Sequence, residues 1–169
     1  MFRNKSVRHL LSVCGVSLCS VGLISSAGAQ VTPAVFGEPY RPIQAVAPSQ
    51  SQVIYYQLGV PVENASVAHI YVDGEFHAAL LPGGYTTFCL DPGRHGLNAA
   101  FNDSPVYKGK HEQPDIELKA GETLFLRADE QFGPLPVSVS REVAEKEMVG
   151  TLRQVQVKSR ATAVKACLG

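Results

Sequence analysis

The chain has 169 residues, 45% of them hydrophobic and 18% charged, with 15 basic and 15 acidic side chains. That length suits one domain with an ordinary core. The even charge balance hides an asymmetry, because residues 30–140 hold 6 basic and 12 acidic side chains and residues 141–169 hold 6 and 3. An acidic body lacks the basic footprint that phosphate backbones require, so nucleic acid is excluded as the expected partner.

The first residues carry Arg3, Lys5 and Arg8 and no acid, and an apolar run from Leu10 to Ile24 follows. Ala27 and Ala29 then stand at small-residue positions. This order is that of a secretory signal over residues 1–29, with the mature chain starting at Gln30. The apolar part spans roughly 15 residues, against about 20 needed to cross a bilayer. A lipid-acceptor cysteine follows a small residue, whereas Cys14 follows Val13 and Cys19 follows Leu18. The mature protein is therefore expected in the periplasm or outside the cell, not spanning the membrane.

Residues 30–52 contain four prolines and little periodicity. They read as a flexible N-terminal arm. The other reading is an extended segment lying on the domain through Val35, Phe36, Tyr40 and Ile43. A domain is then expected over residues 53–169. Residues 53–58 form a β-rich run whose edge could receive a partner strand. Residues 67–80 are the clearest hairpin, turning at Asp73-Gly74. Alternation places Ala68, Ile70 and Val72 on one face and Val67, His69 and Tyr71 on the other.

Pro82-Gly83-Gly84 breaks the pattern before a strand at 84–90. Asp91-Pro92-Gly93 breaks it again before 95–101. A polar loop spans 102–114, and 115–128 reads as a second hairpin turning at Ala120-Gly121. Residues 137–140 suit a further strand. Residues 141–152 read as a short amphipathic helix interrupted near Gly150. The alternation in 153–160 suggests a strand with Val155 and Val157 inward. Turn signals every eight to twelve residues predict a mainly β fold, a small antiparallel β-sandwich with one short C-terminal helix. Its expected core is Ile70, Val72, Phe88, Leu90, Leu97, Phe101, Leu124 and Leu126.

The segment from Tyr71 to Leu97 resembles the PEGA-like, carboxypeptidase-regulatory type of β-module. The resemblance rests on Val72-Asp73-Gly74, on Leu80 to Tyr85, and on Pro92, Gly93 and His95. It covers roughly residues 67–128. Similar segments occur in exported envelope proteins, some with an OmpA-like domain downstream. No room for that domain follows residue 140, so peptidoglycan binding does not carry over with the resemblance. What it implies is a fold, since turn chemistry specifies architecture better than activity.

Cys89 and Cys167 are the cysteines left after leader removal, and in an oxidising compartment they are expected to pair. No C-x-x-C or zinc-type His–Cys spacing is present, and no cofactor is expected. Four histidines remain: His69, His77, His95 and His111. His69 and His77 flank the hairpin and could bind a metal if they faced each other with a third ligand. The simpler expectation is ordinary surface or turn histidines, with His95 bonding a turn. Ser104 and Thr86 lack a base and an orienting acid in any recognisable motif, so no catalytic site is expected. Tyr55, Tyr56, Tyr71, Tyr85 and Tyr107 could offer stacking faces to a glycan. The sequence thus points to a non-catalytic exported envelope module that binds a protein or has an assembly role. A glycan- or peptidoglycan-binding module is the alternative.

Overall fold

The computed structural model describes residues 34–59, 66–101 and 115–168. The expected leader at 1–29 and the expected loop at 102–114, and with it Ser104, Tyr107 and His111, lie outside the described residues. The elements in chain order are β1 (Phe36–Pro39), β2 (Ser51–Gln57), β3 (Ala68–Val72), β4 (Glu75–Leu80), β5 (Gly84–Leu90) and β6 (Gly93–Phe101). They continue with β7 (Asp115–Leu118), β8 (Thr123–Ala128), β9 (Val137–Val139), α1 (Arg141–Glu147) and β10 (Leu152–Gln154). One sheet has six strands in the order β1-β10-β5-β2-β8-β9, and the other has four in the order β4-β3-β6-β7. The fold is mainly β, with two largely antiparallel sheets and one short helix near the C-terminus, as the sequence predicts. Two pairings are parallel, β2 with β8 and β10 with β5.

The sheets bury one apolar layer between them. Val53, Tyr55, Phe88, Leu90 and Leu126 contribute from the six-stranded sheet, and Ile70, Val72, Ala78, Leu80, Leu97 and Ala99 from the four-stranded one. Six of the eight expected core residues are fully buried, and Phe101 and Leu124 pack against them. The predicted strand phase therefore holds in β3, β5, β6 and β8, where a one-residue slip would have turned these side chains outward.

A second apolar layer covers the outer face of the six-stranded sheet. Ile54, Tyr56, Tyr85 and Phe125 meet Ala144 and Met148 of the helix, with Tyr40 and Ile43 packed alongside. This layer corrects the reading of residues 30–52 as an arm. Of the described part, Phe36–Pro39 pairs with β10, and the chain beyond it covers the sheet. It also corrects the exposed edge at 53–58. β2 lies between β5 and β8, and all seven of its residues are buried. A strand covered on both faces reads as a continuous apolar run.

The hairpin expected over 115–128 is not formed. β7 pairs with β6 in one sheet, while β8 pairs with β2 in the other. The turn between them is fastened to β2: Gly121 N–H donates to the Gln50 carbonyl and Gln52 N–H to that of Glu122. The turn chemistry was legible, but the change of sheet was not.

The turn at Asp73-Gly74 joins β3 to β4 with positive φ at both positions, 50° and 76°. A two-residue loop that follows the twist of its strands requires this, and Gly accepts it without steric cost. The next two turns both change sheets. Through Pro82-Gly83-Gly84 the chain passes from β4 to β5, and through Asp91-Pro92-Gly93 from β5 to β6. A side chain at Gly84 would meet the Leu81 carbonyl oxygen at 2.8 Å, so only Gly fits this crossing.

After α1 the chain departs from the expected pattern. Ala144 and Met148 are buried, but Val143 and Val149 are exposed. β10 has three residues, and its inward group is Gln154, whose side chain donates to the Ala79 carbonyl and accepts from Leu81 N–H. Val155 is 52% exposed, not a core residue, whereas Val157 packs against the inter-sheet layer. Residues 155–168 then run as a strap along the open side of the sandwich, with Ala161, Ala163 and Val164 against the core. Arg160 N–H donates to the Phe76 carbonyl of β4, and Lys165 exchanges two backbone hydrogen bonds with Cys89 of β5.

Candidate functional site

Two of the residues that carry the resemblance, Asp73 and His95, meet in space. One carboxylate oxygen of Asp73 lies 2.8 Å from His95 Nδ1, and the other accepts from Gly96 N–H at 2.9 Å. His95 Nε2 lies 3.0 Å from the Asp91 carbonyl oxygen. One histidine thus bridges the β3–β4 turn and the β5–β6 turn, and both of its ring nitrogens are engaged.

His69 and His77 do not face each other. His69 pairs with Ala79, and the register of β3 on β4 shifts between Ile70 and Tyr71, so that His77 has no cross-strand partner. The extra residue of such a bulge re-aims a side chain. His69 packs beside Phe76, with ring centroids 6.0 Å apart, whereas His77 lies 4.3 Å from the Phe88 ring of the opposite sheet. Among the described residues no three His, Cys, Asp or Glu side chains are grouped as a metal site would need. Burial lowers the His77 pKa to about 4, so its imidazole is neutral near pH 7. Its Nδ1 lies 3.0 Å from Ser159 Oγ in the strap, and its buried Nε2 has no hydrogen-bond partner among the described residues.

The strap is held at intervals along its length. Glu75 accepts from the N–H and hydroxyl of Thr162, and Lys165 Nζ lies 2.6 Å from Asp91. Near the end, Gln50 donates to the Ala166 carbonyl and accepts from Leu168 N–H. Cys89 and Cys167 stand at disulfide distance, with sulfurs 2.05 Å and Cα atoms 5.0 Å apart. The basic tail therefore lies on the acidic body. Between β5 and the strap is a cleft of about 390 Å³ walled by His77, Thr87, Phe88, Arg153 and Ser159.

Of the five tyrosines named as stacking faces, the four among the described residues are not available. Tyr55, Tyr56 and Tyr71 are fully buried, and Tyr85 nearly so. Tyr56 donates to Glu147, which also binds Arg127 at 2.7 Å; burial and then the Glu147 carboxylate raise the phenol pKa. Thr86 is buried. Asp129 caps a short 3-10 turn and pairs with Arg127, and Glu145 pairs with Arg141. These acids are engaged in ion pairs.

Sequence reasoning did not single out Arg153, Thr87 or Ser159. No local pattern links them to His77, since a bulge, a broken strand and the strap bring them together. Among the described residues no helix is long and apolar enough to cross a membrane. Compared with family models, with curated proteins and with solved structures, the chain finds no match in any of the three.

Proposed function

We propose that this is a non-catalytic module of a bacterial envelope, exported behind the leader at 1–29, that acts by binding or bracing another protein. The observation that carries this reading is the strap. A basic C-terminal segment is folded along the open side of an acidic sandwich and ends in a cysteine pair at disulfide distance. A covalent brace of this kind suits a small domain in an oxidising compartment.

The test is purification of the tagged protein from envelope fractions, with intact-mass measurement of the product. Expected are a chain starting at Gln30 and a stoichiometric protein partner. A chain retaining residues 1–29 would overturn the export reading. Retention on isolated cell wall without a protein partner would favour the glycan-binding module, and turnover of any substrate would replace both.

A further inference from the structure

The end of the strap is held against β5 by ties that differ in kind. The backbone of Lys165 exchanges two hydrogen bonds with that of Cys89. The side chains of Gln50 and Asp91 bond to Ala166, Leu168 and Lys165. The covalent tie is the Cys89–Cys167 bond. Ala163 and Val164 are only half-buried, and Lys165, Ala166, Cys167 and Leu168 are all exposed. Exposed ion pairs and hydrogen bonds that water can replace hold a chain end weakly. The covalent tie therefore decides whether this end stays docked.

The two cysteines are placed differently. Phe88 and Leu90 face the inter-sheet core, so Cys89 between them faces the outer side of the larger sheet. It is fully buried there. Cys167 is exposed and lines a cleft of about 460 Å³ on that outer side, with Ile43, Gln52, Tyr85 and Lys165 around it. Access decides which sulfur of a disulfide an incoming thiolate attacks, and exposed disulfides are the labile, regulatory ones.

Opening the bond leaves the sandwich intact. The inter-sheet layer is built from strands β2 to β8, and the strap adds Ala161, with Val157, Ala163 and Val164 at its margin. On its β10 side, β5 is paired by β10 at Gly84 and Tyr85 and, among the described residues, by the strap at Cys89. Release of the strap end bares the Cys89 N–H and C=O, the groups that an added extended strand uses.

We propose that Cys89–Cys167 is a redox latch, opened by a dithiol reductant that attacks at Cys167, and that its opening frees the strap end and bares this edge of β5. A thiolate of the reductant bonds to Cys167 Sγ, and Cys89 leaves as a thiolate. The second thiolate of the reductant bonds to the first sulfur, and Cys167 leaves in turn. Two electrons pass to the cysteine pair, the reductant ends as a disulfide, and its two protons end on Cys89 and Cys167. The latch works within this chain and goes beyond the binding role, because it does not depend on the identity of a partner.

The experiment is hydrogen exchange read by mass spectrometry on the purified oxidised protein, before and after dithiothreitol without denaturant. Both cysteines should become open to alkylation. Peptides within residues 162–168 should exchange about tenfold faster or more, while β3 and β6 keep their protection. Reoxidation should restore the first pattern. Cys167→Ser, untreated, should match the reduced wild-type protein. A brief pulse of glutathione, quenched in acid, should leave its adduct on Cys167. A bond that yields only in denaturant, a strap still protected after reduction, or equal loss of protection in β3 and β6 would overturn the latch. An adduct on Cys89 would overturn attack at Cys167.

Discussion

The Asp73 carboxylate reaches His95 at 2.8 Å across 22 residues of chain. It fastens the tip of the β3–β4 hairpin to the start of β6, and His95 carries the link on to the Asp91 carbonyl. The β3–β4 and β5–β6 turns thus form one structural unit.

Replacing Asp73 tests that unit. Asp73→Ala removes two hydrogen bonds and puts alanine at a φ of 50°. The expected loss is about 2 kcal/mol in urea unfolding. Asp73→Asn keeps an acceptor and tolerates positive φ, and should cost about half as much. A loss in Asp73→Ala below about 0.5 kcal/mol would show that the link adds nothing to stability.

His77 makes stability depend on pH. Its folded pKa of about 4 lies below the ordinary 6.5, so between these values the unfolded chain binds more protons than the folded one. Stability from this group is complete above about pH 6.5 and is lost as pH falls towards 4, amounting to about 3 kcal/mol. His77→Phe should flatten the stability profile across that window. A slope unchanged by the substitution would assign the effect to other groups.

Phe88 lies between Tyr55, whose ring is stacked at 6.3 Å, and His77. Phe88→Ala should cost about 3–5 kcal/mol in chemical unfolding, because the rigid layers on both sides cannot close the space. By admitting water it should also raise the His77 pKa, read from the imidazole proton shifts. Loss of stability without that rise would mean that other groups keep His77 dry.

Cys167→Ser tests the end of the strap. The loop between the cysteines spans 78 positions, for which the chain-entropy model gives about 4 kcal/mol. Limited proteolysis should then cut within residues 155–168 while β3 to β6 stay protected. Thiol labelling of both cysteines in the oxidised wild-type protein would rule the bond out.

The turns and strand faces were legible because they are local. Alternation in β3 and β6 marks which side chains face the core, and Asp73-Gly74 marks a hairpin. Which strands become neighbours was not legible. Residues 115–128 carry a good turn, yet the strands on either side of it enter different sheets. The apolar run Val53 to Tyr56 signals burial, but not the α1 and Tyr40 layer that causes it. His77 escaped the pattern because one extra residue in β4 re-aims it, and Val155 because its strand ends one residue earlier. Nothing in the order of residues announces that Arg153, Thr87 and His77 share a cleft. They lie on three elements whose meeting depends on the whole fold.

The placement of β1 beside β10 sets an order in time. Phe36 lies opposite Gln154, and Ala47 N–H bonds to the Leu168 carbonyl. The outermost strand of the larger sheet therefore has no neighbour until β10 has been synthesised. Pairings so distant in sequence form late and slowly. A nascent chain stopped before Leu152 would hold β5 with one edge bare and its cysteine without a mate. Completion of the larger sheet must follow synthesis of β10 and the strap, leaving an interval in which a chaperone or an oxidase can act on an open chain.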